Sequence, residues 1–357
     1  MPKYGRLVTS TEEKITKEGA KKSRRVNMGD LILSNSMSYG QPYIMNIDGY
    51  IHDGWFVLKN FEKSFDRDYL CNLLISPAVQ NQYRRLAAGG VVQNISSDLV
   101  NSVIISLPSI KEQQKIASVL NLIDERIATQ RKIIEDLKKL KDAIAEKLFC
   151  GPDDESPELR VVNSSDKWNL YQFKDVCQRI SERNSQGSSS LVLTIAAQYG
   201  LVSQTDFFNK SVASENLSNY HLIQKGDFAY NKSYSGEYAR GAVKRLELYE
   251  NGVLSPLYIC FRPNPLIVNS DFLSHYFETH KWHNGIAQIA GEGARNHGLL
   301  NVSITDYFAT LHRFPELPEQ KKIASYLNSL SDKISLADKE LECYAQQKQY
   351  LLSRMFI

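Results

Sequence analysis

The residues best suited to chemistry are three histidines in the second half of the chain. His275, His280 and His283 are possible metal ligands, but no cysteine and no second ligand pair stands at the spacing that a metal site needs. Isolated histidines of this kind are more often hydrogen-bonded surface or core residues. The acidic run Asp153–Glu155 lies in a polar segment and indicates a solvated turn. We therefore predict no metal site and no catalytic residue.

Sequence motifs for common enzyme chemistry are also missing. The chain has no GxxxxGK[ST] phosphate loop, no GxGxxG after a strand and no GxSxG nucleophile motif. Its nearest glycine-rich piece, Gly291–Gly293, is predicted to be a loop. The five cysteines are far apart and odd in number, which is typical of a reduced cytoplasmic protein and predicts neither a disulfide framework nor a zinc site. We expect no cofactor bound to this chain.

Charge and hydropathy narrow the class of protein only a little. The net charge of +3 does not by itself indicate a nucleic-acid partner. The densest basic run, 14–25, is accompanied by Glu12, Glu13 and Glu18, so a solvated surface is the simpler interpretation and a phosphate-binding surface is the alternative. No stretch of about 18 uncharged apolar residues occurs, so no membrane span is predicted.

An internal duplication is the most informative feature of the sequence. The segment 108–120 reads PSIKEQQKIASVL, and the segment 315–327, which lies 207 positions later, reads PELPEQKKIASYL. Apolar residues then follow each copy at steps of three and four for over five heptads, with Gln130, Lys141 and Lys348 at the polar gaps. This pattern predicts two long helices that pair with each other and run antiparallel. The alternative is that each helix packs only across its own domain.

The globular parts repeat more faintly. The turn Gly29-Asp30 resembles Gly226-Asp227, and Asp68–Leu70 resembles Asp271–Leu273, where a helical stretch opens in both copies. Short runs with β-branched and aromatic residues alternate with turn dipeptides, which indicates mixed helix and strand. We predict the α+β fold class, with two mixed α/β domains separated by two long helices that form an antiparallel coiled coil in a pseudo-two-fold repeat. The predicted boundaries are 1–106 for the first domain, 107–150 for the first long helix, 151–167 for a linker, 168–314 for the second domain and 315–357 for the second long helix.

The two helix openings resemble the conserved-region signature of the specificity subunits of type I restriction–modification systems. In that family a proline, a Glu-Gln pair and an Ile-Ala pair introduce a long helix twice per chain, as they do after Pro108 and Pro315 here. The start of the second domain, Trp168–Val176, is similar to the family's Trp-initiated opening. The resemblance covers essentially the whole chain, and the helix motif is its most specific part.

The resemblance implies a sequence-specific DNA-binding protein that is not an enzyme. Each globular domain would be a target-recognition domain that reads one half of a bipartite, asymmetric sequence in double-stranded DNA, and the paired helices would fix the spacing. Two methyltransferase (modification) subunits would dock on the chain, and restriction/translocase subunits would join through them. S-adenosylmethionine, ATP and Mg would be bound by those partners only. A cytoplasmic location and no membrane partner are expected.

The first domain departs from the family pattern. Gly226 follows Trp168 by 58 positions, whereas Gly29 has only 28 residues before it and no Trp-initiated opening. The difference of 30 positions predicts a first domain that is shortened at its N-terminal side. The resemblance to the family is therefore carried by fewer features in the first domain than in the second.

Readout of base edges needs polar side chains on exposed loops, which we predict after the two Gly-Asp turns and in the loops before the long helices. In the second domain these residues are Asn231, Lys232, Ser233, Tyr234, Arg240, Arg295, Asn296 and His297. In the first domain they are Ser34, Asn35, Ser36, Tyr39, Gln41, Gln93 and Asn94. For each of them an ordinary surface-loop role is the alternative.

Partner docking is predicted at the helix openings, through Glu112, Gln113, Glu319 and Gln320. The alternative is that these residues only stabilise the first helical turn, where carboxylates interact favourably with the helix dipole. For the chain as a whole, the alternative function is a non-catalytic coiled-coil scaffold that joins two protein-binding domains. Such a scaffold would show no salt-dependent affinity for DNA, whereas a DNA reader would. An enzyme with an unrecognised site is a third possibility.

Overall fold

The computed structural model describes the chain except for residues 1, 3–4, 36–39, 87–94, 164–165, 197–199, 209–215, 234–238, 291–299 and 357. The chain divides into two compact units. Unit 1 takes in residues 1–135 and 335–357, and unit 2 takes in residues 136–334. Each unit therefore contains part of both predicted long helices.

Unit 1 contains short strands followed by helices. Its elements in chain order are β1 (Leu7–Val8), α1 (Lys17–Lys21), β2 (Arg24–Val26), β3 (Leu31–Ser34), β4 (Pro42–Met45), β5 (Gly49–Ile51), β6 (Trp55–Leu58), α2 (Arg67–Leu74), α3 (Pro77–Leu86), α4 (Ser97–Asn101) and the first part of α5 (Ile110–Leu148). The strands form a sheet in the order β1-β4-β3-β6, in which only β1 runs parallel to its neighbour, and a separate β2-β5 pair. β6 lies in one of the short runs of β-branched and aromatic residues that the sequence pattern predicts as strands.

Unit 2 repeats this plan with additional strands. Its elements are β7 (Asn169–Gln172), α6 (Phe173–Val176), β8 (Cys177–Arg179), β9 (Leu193–Ala196), β10 (Gly200–Ser203), α7 (Gln204–Phe208), β11 (His221–Gln224), β12 (Phe228–Asn231), β13 (Ala242–Arg245), β14 (Asn251–Leu254), β15 (Ile259–Pro263), α8 (Ser270–Tyr276), α9 (His283–Ile289), α10 (Ile304–Ala309), β16 (Leu311–Phe314) and the first part of α11 (Leu317–Met355). An antiparallel sheet in the order β13-β12-β15-β8 is flanked by the pairs β9-β10, β11-β14 and β7-β16.

The repeated Gly-Asp turns have the same conformation in both units. Gly29 and Gly226 adopt φ values of +95° and +92°, which only glycine tolerates readily. The aspartate after each glycine accepts a hydrogen bond from a backbone N–H three residues upstream, at 2.8 Å for Asp30 and 2.7 Å for Asp227. These turns start β3 and β12, so the faint repeat in the sequence marks equivalent positions in the fold.

The two long helices pair antiparallel, as the heptad pattern predicts. In unit 1 the first part of α5 packs with the last part of α11, and Gln130 at the seam donates to the backbone oxygen of Ala337 at 3.0 Å. In unit 2 the last part of α5 and the first part of α11 share one core, which includes Leu148, Ile323 and Leu327. Each helix has 39 residues, so each is about 58 Å long. The predicted α+β fold class with an antiparallel coiled coil is confirmed.

The segment 151–167, predicted to be a linker, contains no helix or strand among its described residues. It is anchored to unit 2, because Arg160 lies in it and forms an ion pair with Glu319. Elsewhere in the described chain, no helix combines the length and the apolar character that a membrane crossing requires. The predicted domain boundaries stay a prediction, since the compact units divide the chain within the long helices rather than at their ends.

Candidate nucleic-acid interface

In unit 2 the hairpin β12–β13 brings several predicted DNA-contacting residues together. Asn231 ends β12 and pairs in register with Ala242 of β13, so the residues after one strand lie beside those before the other. Lys232 and Ser233 follow Asn231, and Arg240 precedes the second strand. The carboxamide oxygen of Asn231 accepts the N–H of Ser233 at 3.0 Å, which leaves its NH₂ group as a donor.

The base of this loop is held in one shape by a glycine and a buried tyrosine. Gly241 has φ +78°, and a Cβ added there would lie 2.2 Å from the carbonyl oxygen of Asn231. The hydroxyl of Tyr230 donates to the carbonyl oxygen of Arg240 at 2.9 Å, and its buried ring stacks on Tyr307. The loop is therefore presented on a rigid pair of strands, as a recognition loop requires.

Cationic groups are available at this end of unit 2. Within the described residues neither Lys232 nor Arg240 forms an ion pair, and both side chains are partly exposed. The backbone oxygen of Lys232 accepts the N–H of Leu300 at 2.9 Å, so the end of the second predicted loop joins the same hairpin. The predicted residues Tyr234, Arg295, Asn296 and His297 lie outside the described residues.

The hairpin β3–β4 is the unit 1 counterpart, with Gly40 at φ +77° in the position of Gly241. Here the prediction for Ser34 is wrong: its side chain is 4% exposed within β3 and cannot reach a base edge. Asn35 is partly exposed, and its NH₂ group donates to the carbonyl oxygen of Asp53 at 2.7 Å. Gln41 is partly exposed and immediately precedes β4. The remaining predicted residues, Ser36, Tyr39, Gln93 and Asn94, lie outside the described residues.

The basic run 14–25, for which the sequence favours a solvated surface over a phosphate-binding one, lies on the surface of unit 1. It is formed by α1, β2 and the residues beside them, and all its cationic side chains are exposed: Lys14, Lys17, Lys21, Lys22, Arg24 and Arg25. Arg25 lies 3.3 Å from Asp48, and this exposed pair contributes little to stability. Both interpretations of the basic run, solvated surface and phosphate contact, therefore remain compatible with the fold.

The helix openings carry a repeated structural contact that the sequence did not reveal. Gln113 is fully buried; its Oε1 accepts the N–H of Asp66, and its Nε2 donates to the carbonyl oxygens of Ser64 and Pro108, all within 3.0 Å. Asp66 is the N-cap residue of α2. The side chain of Gln113 therefore joins the start of a long helix to the start of a domain helix.

Gln320 makes the equivalent contact in unit 2. Its Oε1 accepts the N–H of Asn269, the N-cap residue of α8, and its Nε2 donates to the carbonyl oxygens of Ile267 and Pro315. Glu319 is also buried and is paired with Arg160. The docking prediction for Gln113, Glu319 and Gln320 is thus corrected to an intrachain role, because their polar groups are already used. Glu112 is exposed, and its docking role stays a prediction.

The histidines and cysteines that could serve as metal ligands or nucleophiles form ordinary contacts within the chain. His280 Nδ1 lies 2.7 Å from Glu146, and His275 Nε2 lies 2.8 Å from the Asn328 carboxamide oxygen. No cluster of three or more possible metal ligands occurs among the described residues. Burial raises the pKa of the Cys71 thiol to about 11 and that of Cys150 to about 12, so both stay protonated and are poor nucleophiles at neutral pH.

Comparison with known proteins gives one family. Residues 2–139 match the type I restriction modification DNA specificity domain. A solved structure concerned with complex assembly and conformational transition of the type I R-M system is 15% identical over 92% of this chain and 82% of its own, with a TM-score of 0.55. At that identity the likeness concerns the fold alone.

Two further solved structures resemble the chain more loosely. The HsdS subunit from Thermoanaerobacter tengcongensis is 15% identical over 92% of this chain and 80% of its own, with a TM-score of 0.45. The type I restriction–modification S subunit from M. genitalium is 16% identical over 94% of this chain and 85% of its own, with a TM-score of 0.49.

Proposed function

The chain carries a type I restriction modification DNA specificity domain over residues 2–139, and from this premise we propose that it reads a bipartite DNA target for a methyltransferase complex. The family match confirms the predicted resemblance and the assignment to a class of non-catalytic DNA specificity subunits. The observation that carries the proposal of a two-part target is the repeated hairpin. β3–β4 in unit 1 and β12–β13 in unit 2 are built alike, and a left-handed glycine ends the loop in each.

In this proposal the hairpin loops supply contacts to bases and the lysines and arginines supply contacts to phosphates. The NH₂ group of Asn231 would donate to a base acceptor in the major groove, and the guanidinium of Arg240 is the group that pairs with a guanine edge. Lys232 and the basic surface of unit 1 would hold the DNA backbone, which fixes position without reading sequence. The paired helices would set the spacing between the two half-sites.

The partners follow from the same proposal. Two methyltransferase subunits dock on this chain and use S-adenosylmethionine, while restriction subunits with ATP and Mg join through them in the cytoplasm. Glu112 is the remaining candidate docking residue at the helix openings. The chain itself needs no cofactor for base recognition.

The decisive experiment is long-read sequencing of DNA methylation in cells that express the methyltransferase with and without this chain. We expect a bipartite methylated sequence only when the chain is present. The variant Gly241→Ala places a Cβ against the Asn231 carbonyl oxygen, so it should abolish or alter recognition of one half-site.

Gly187→Ala is the matched control, because Gly187 also has positive φ but has nothing within 4 Å of an added Cβ. It should leave the methylated sequence unchanged. An unchanged methylome in cells with and without the chain, together with no salt-dependent affinity for DNA, would instead support the scaffold alternative.

A further inference from the structure

The loop of the β3–β4 hairpin in unit 1 is fixed at its first residue. Asn35 follows β3, and its N–H donates to the carbonyl oxygen of Gly54 at 3.1 Å. Its own carbonyl oxygen accepts the N–H of Ile95 at 3.0 Å, just as that of Lys232 accepts the N–H of Leu300 in unit 2. Because this backbone contact recurs, the start of the loop is held in the same way in both units.

In unit 2 the glycine that ends the loop rests on a tyrosine of the preceding strand. Tyr230 lies in β12, and a Cβ added to Gly241 would come within 2.7 Å of its ring. Its hydroxyl donates to the carbonyl oxygen of Arg240 at 2.9 Å. The register of the two sheets puts Leu33 of β3 at the position of Tyr230. A leucine has neither a donor nor a ring, so β3 does not supply this support in unit 1.

Helix α3 supplies the support in unit 1. Gly40 has φ +77°, and a Cβ added there would lie 2.8 Å from Nε2 of Gln80 and 2.9 Å from the ring of Tyr83. The same Nε2 donates to the carbonyl oxygen of Gly40 at 3.3 Å. It also donates to the carbonyl oxygen of Leu74, the last residue of α2, at 2.8 Å. The side chain of Gln80 therefore ties the end of the loop to two helices.

Tyr83 supports the loop through its ring. The side chain is 0% exposed and belongs to the same core cluster as Leu33. Its hydroxyl has no hydrogen-bond partner among the described residues, although a buried hydroxyl usually has one. The ring is therefore the part of Tyr83 that lies against Gly40, as the ring of Tyr230 lies against Gly241.

We propose that Gln80 and Tyr83 are positioning residues for the base-reading loop of unit 1, in the role that Tyr230 has in unit 2. The inference rests on the proposed function, because it takes unit 1 to read one half-site. Neither side chain reads a base; both act through Gly40, which fixes the end of the loop. Hydrogen bonds discriminate between bases only when the reading groups are held in the correct geometry.

A purely structural role is the competing interpretation, since both side chains also stabilise unit 1. The two interpretations differ in which half-site is affected. Loss of stability lowers the amount of active complex and weakens methylation at every site alike, whereas a displaced loop relaxes the reading of one half-site only. The half-site that unit 2 reads is therefore an internal control in each measurement.

The test replaces Gln80 with methionine, which is similar in size and has no donor. Variants are expressed with the methyltransferase, and DNA methylation is read by long-read sequencing. The half-site of unit 1 is the one that Gly241→Ala leaves intact. For sites with one changed base pair in this half-site, we expect Gln80→Met to raise methylation relative to cognate sites at least fivefold. For changes in the other half-site, the same ratio should move by less than twofold.

Gln82→Met is the matched control. Gln82 lies on the same helix; its Nε2 donates to the carbonyl oxygen of Ile104 at 2.7 Å, and its Oε1 accepts the N–H of Ile104 at 3.0 Å. The substitution removes comparable hydrogen bonds to the backbone but none to the hairpin, so it should leave both half-sites unchanged. Tyr83→Phe keeps the ring and should behave like the unaltered chain, whereas Tyr83→Leu should relax the half-site of unit 1.

Amide hydrogen exchange at Gly40 tests the positioning without DNA. Its N–H donates to the carbonyl oxygen of Ser34 at 2.7 Å and should exchange at least tenfold faster in Gln80→Met than in Gln82→Met. The proposal is overturned if Gln80→Met relaxes both half-sites equally or neither, if Gln82→Met has the same effect, or if exchange at Gly40 is unchanged. If the unaltered chain directs no methylation, the proposed function fails, and exchange at Gly40 alone decides whether Gln80 holds the loop.

Discussion

At the scale of single residues, the Glu-Gln signature has a structural explanation. The glutamines of both helix openings are buried, and each makes two hydrogen bonds to backbone groups of the preceding domain and one to the proline before its own helix. An amide is suited to this position because it both donates and accepts. The motif that revealed the duplication therefore joins each domain to its helix.

Replacing Gln113 tests this explanation. Gln113→Leu leaves the N–H of Asp66 and the carbonyl oxygens of Ser64 and Pro108 without partners, so we expect the free energy of unfolding to fall by about 2–4 kcal/mol. Urea denaturation measures it. Gln114→Leu is the control, because Gln114 is exposed and the substitution should change stability by less than about 0.5 kcal/mol. Equal effects of the two substitutions would refute the structural role.

His312 predicts a dependence of stability on pH. Burial lowers its pKa from 6.5 to about 3, and its ring nitrogens bond to the hydroxyls of Tyr276 and Thr310. Between these pH values the unfolded chain binds a proton that the folded chain does not, so the free energy of unfolding falls as pH is lowered below 6.5. The slope from this residue is at most about 1.4 kcal/mol per pH unit.

Denaturation between pH 7 and 5 checks this prediction. His312→Gln should reduce the slope, whereas Thr310→Val should retain it, because the imidazole still titrates. Glu278 does not contribute to this slope, because the stability that its lowered pKa provides is lost only as the pH falls below 4.5. Burial alone raises the pKa of Glu278, but His275, Lys141 and Lys244 outweigh that effect and lower it from 4.5 to about 2. A slope equal to that of the unaltered chain in His312→Gln would show that other groups dominate.

At the scale of elements, a substitution in the ion network that links the long helices in unit 1 tests their pairing. Asp124 on α5 accepts hydrogen bonds from Lys348 on α11 and, at 2.6 Å, from Arg6 before β1. Lys348 is largely buried, and burial is the main cause of its lowered pKa, so it depends on the carboxylate. Asp124→Asn should lower the free energy of unfolding by about 1–3 kcal/mol, because Lys348 and Arg6 lose their carboxylate and Arg6 retains only the amide oxygen of Asn72.

Thermal and urea denaturation measure this effect. Glu125→Gln, an exposed neighbour on the same helix, should have little effect. If Asp124→Asn is as stable as the control, the network does not hold the helices together in solution.

The sequence predicts elements well where a periodic pattern is long, and poorly where distant contacts decide. The helix limits predicted at 107–150 and 315–357 are within three residues of α5 and α11, because proline and the apolar repeat mark them. Burial of Ser34 and Gln113 was not predictable, since it depends on strands and caps far away in the chain. The spacing of residues in a loop likewise does not tell which side chains point outward.

At the scale of the whole molecule, the proposal that the helices set the half-site spacing predicts a change in the recognised DNA. Deleting residues 128–134 together with 336–342 removes one heptad from each helix and keeps the seam in register. Each helix becomes shorter by about 10.5 Å, equivalent to about three base pairs. We expect both half-sites to be retained and the spacer in the methylated sequence to shorten by about that number.

Long-read methylation sequencing reads the spacer directly. Deletion of 128–134 alone is the control, because it removes a heptad from one helix only and should lower stability rather than give a defined new spacer. If the methyltransferase still methylates the original sequence in the presence of the double-deletion variant, something other than the helices determines the spacing.

Unit 1 is built from segments at both ends of the given chain, and this affects the order in which the two units can fold during synthesis. Tyr69 packs on Phe356 with ring centroids 5.1 Å apart, and Leu352 belongs to the same core. A ribosome therefore synthesises all of the contiguous unit 2 before the last part of α11, 335–357, which unit 1 needs. A frameshift or premature stop within residues 335–357 would damage the domain translated first, while the domain translated second would already have its complete core.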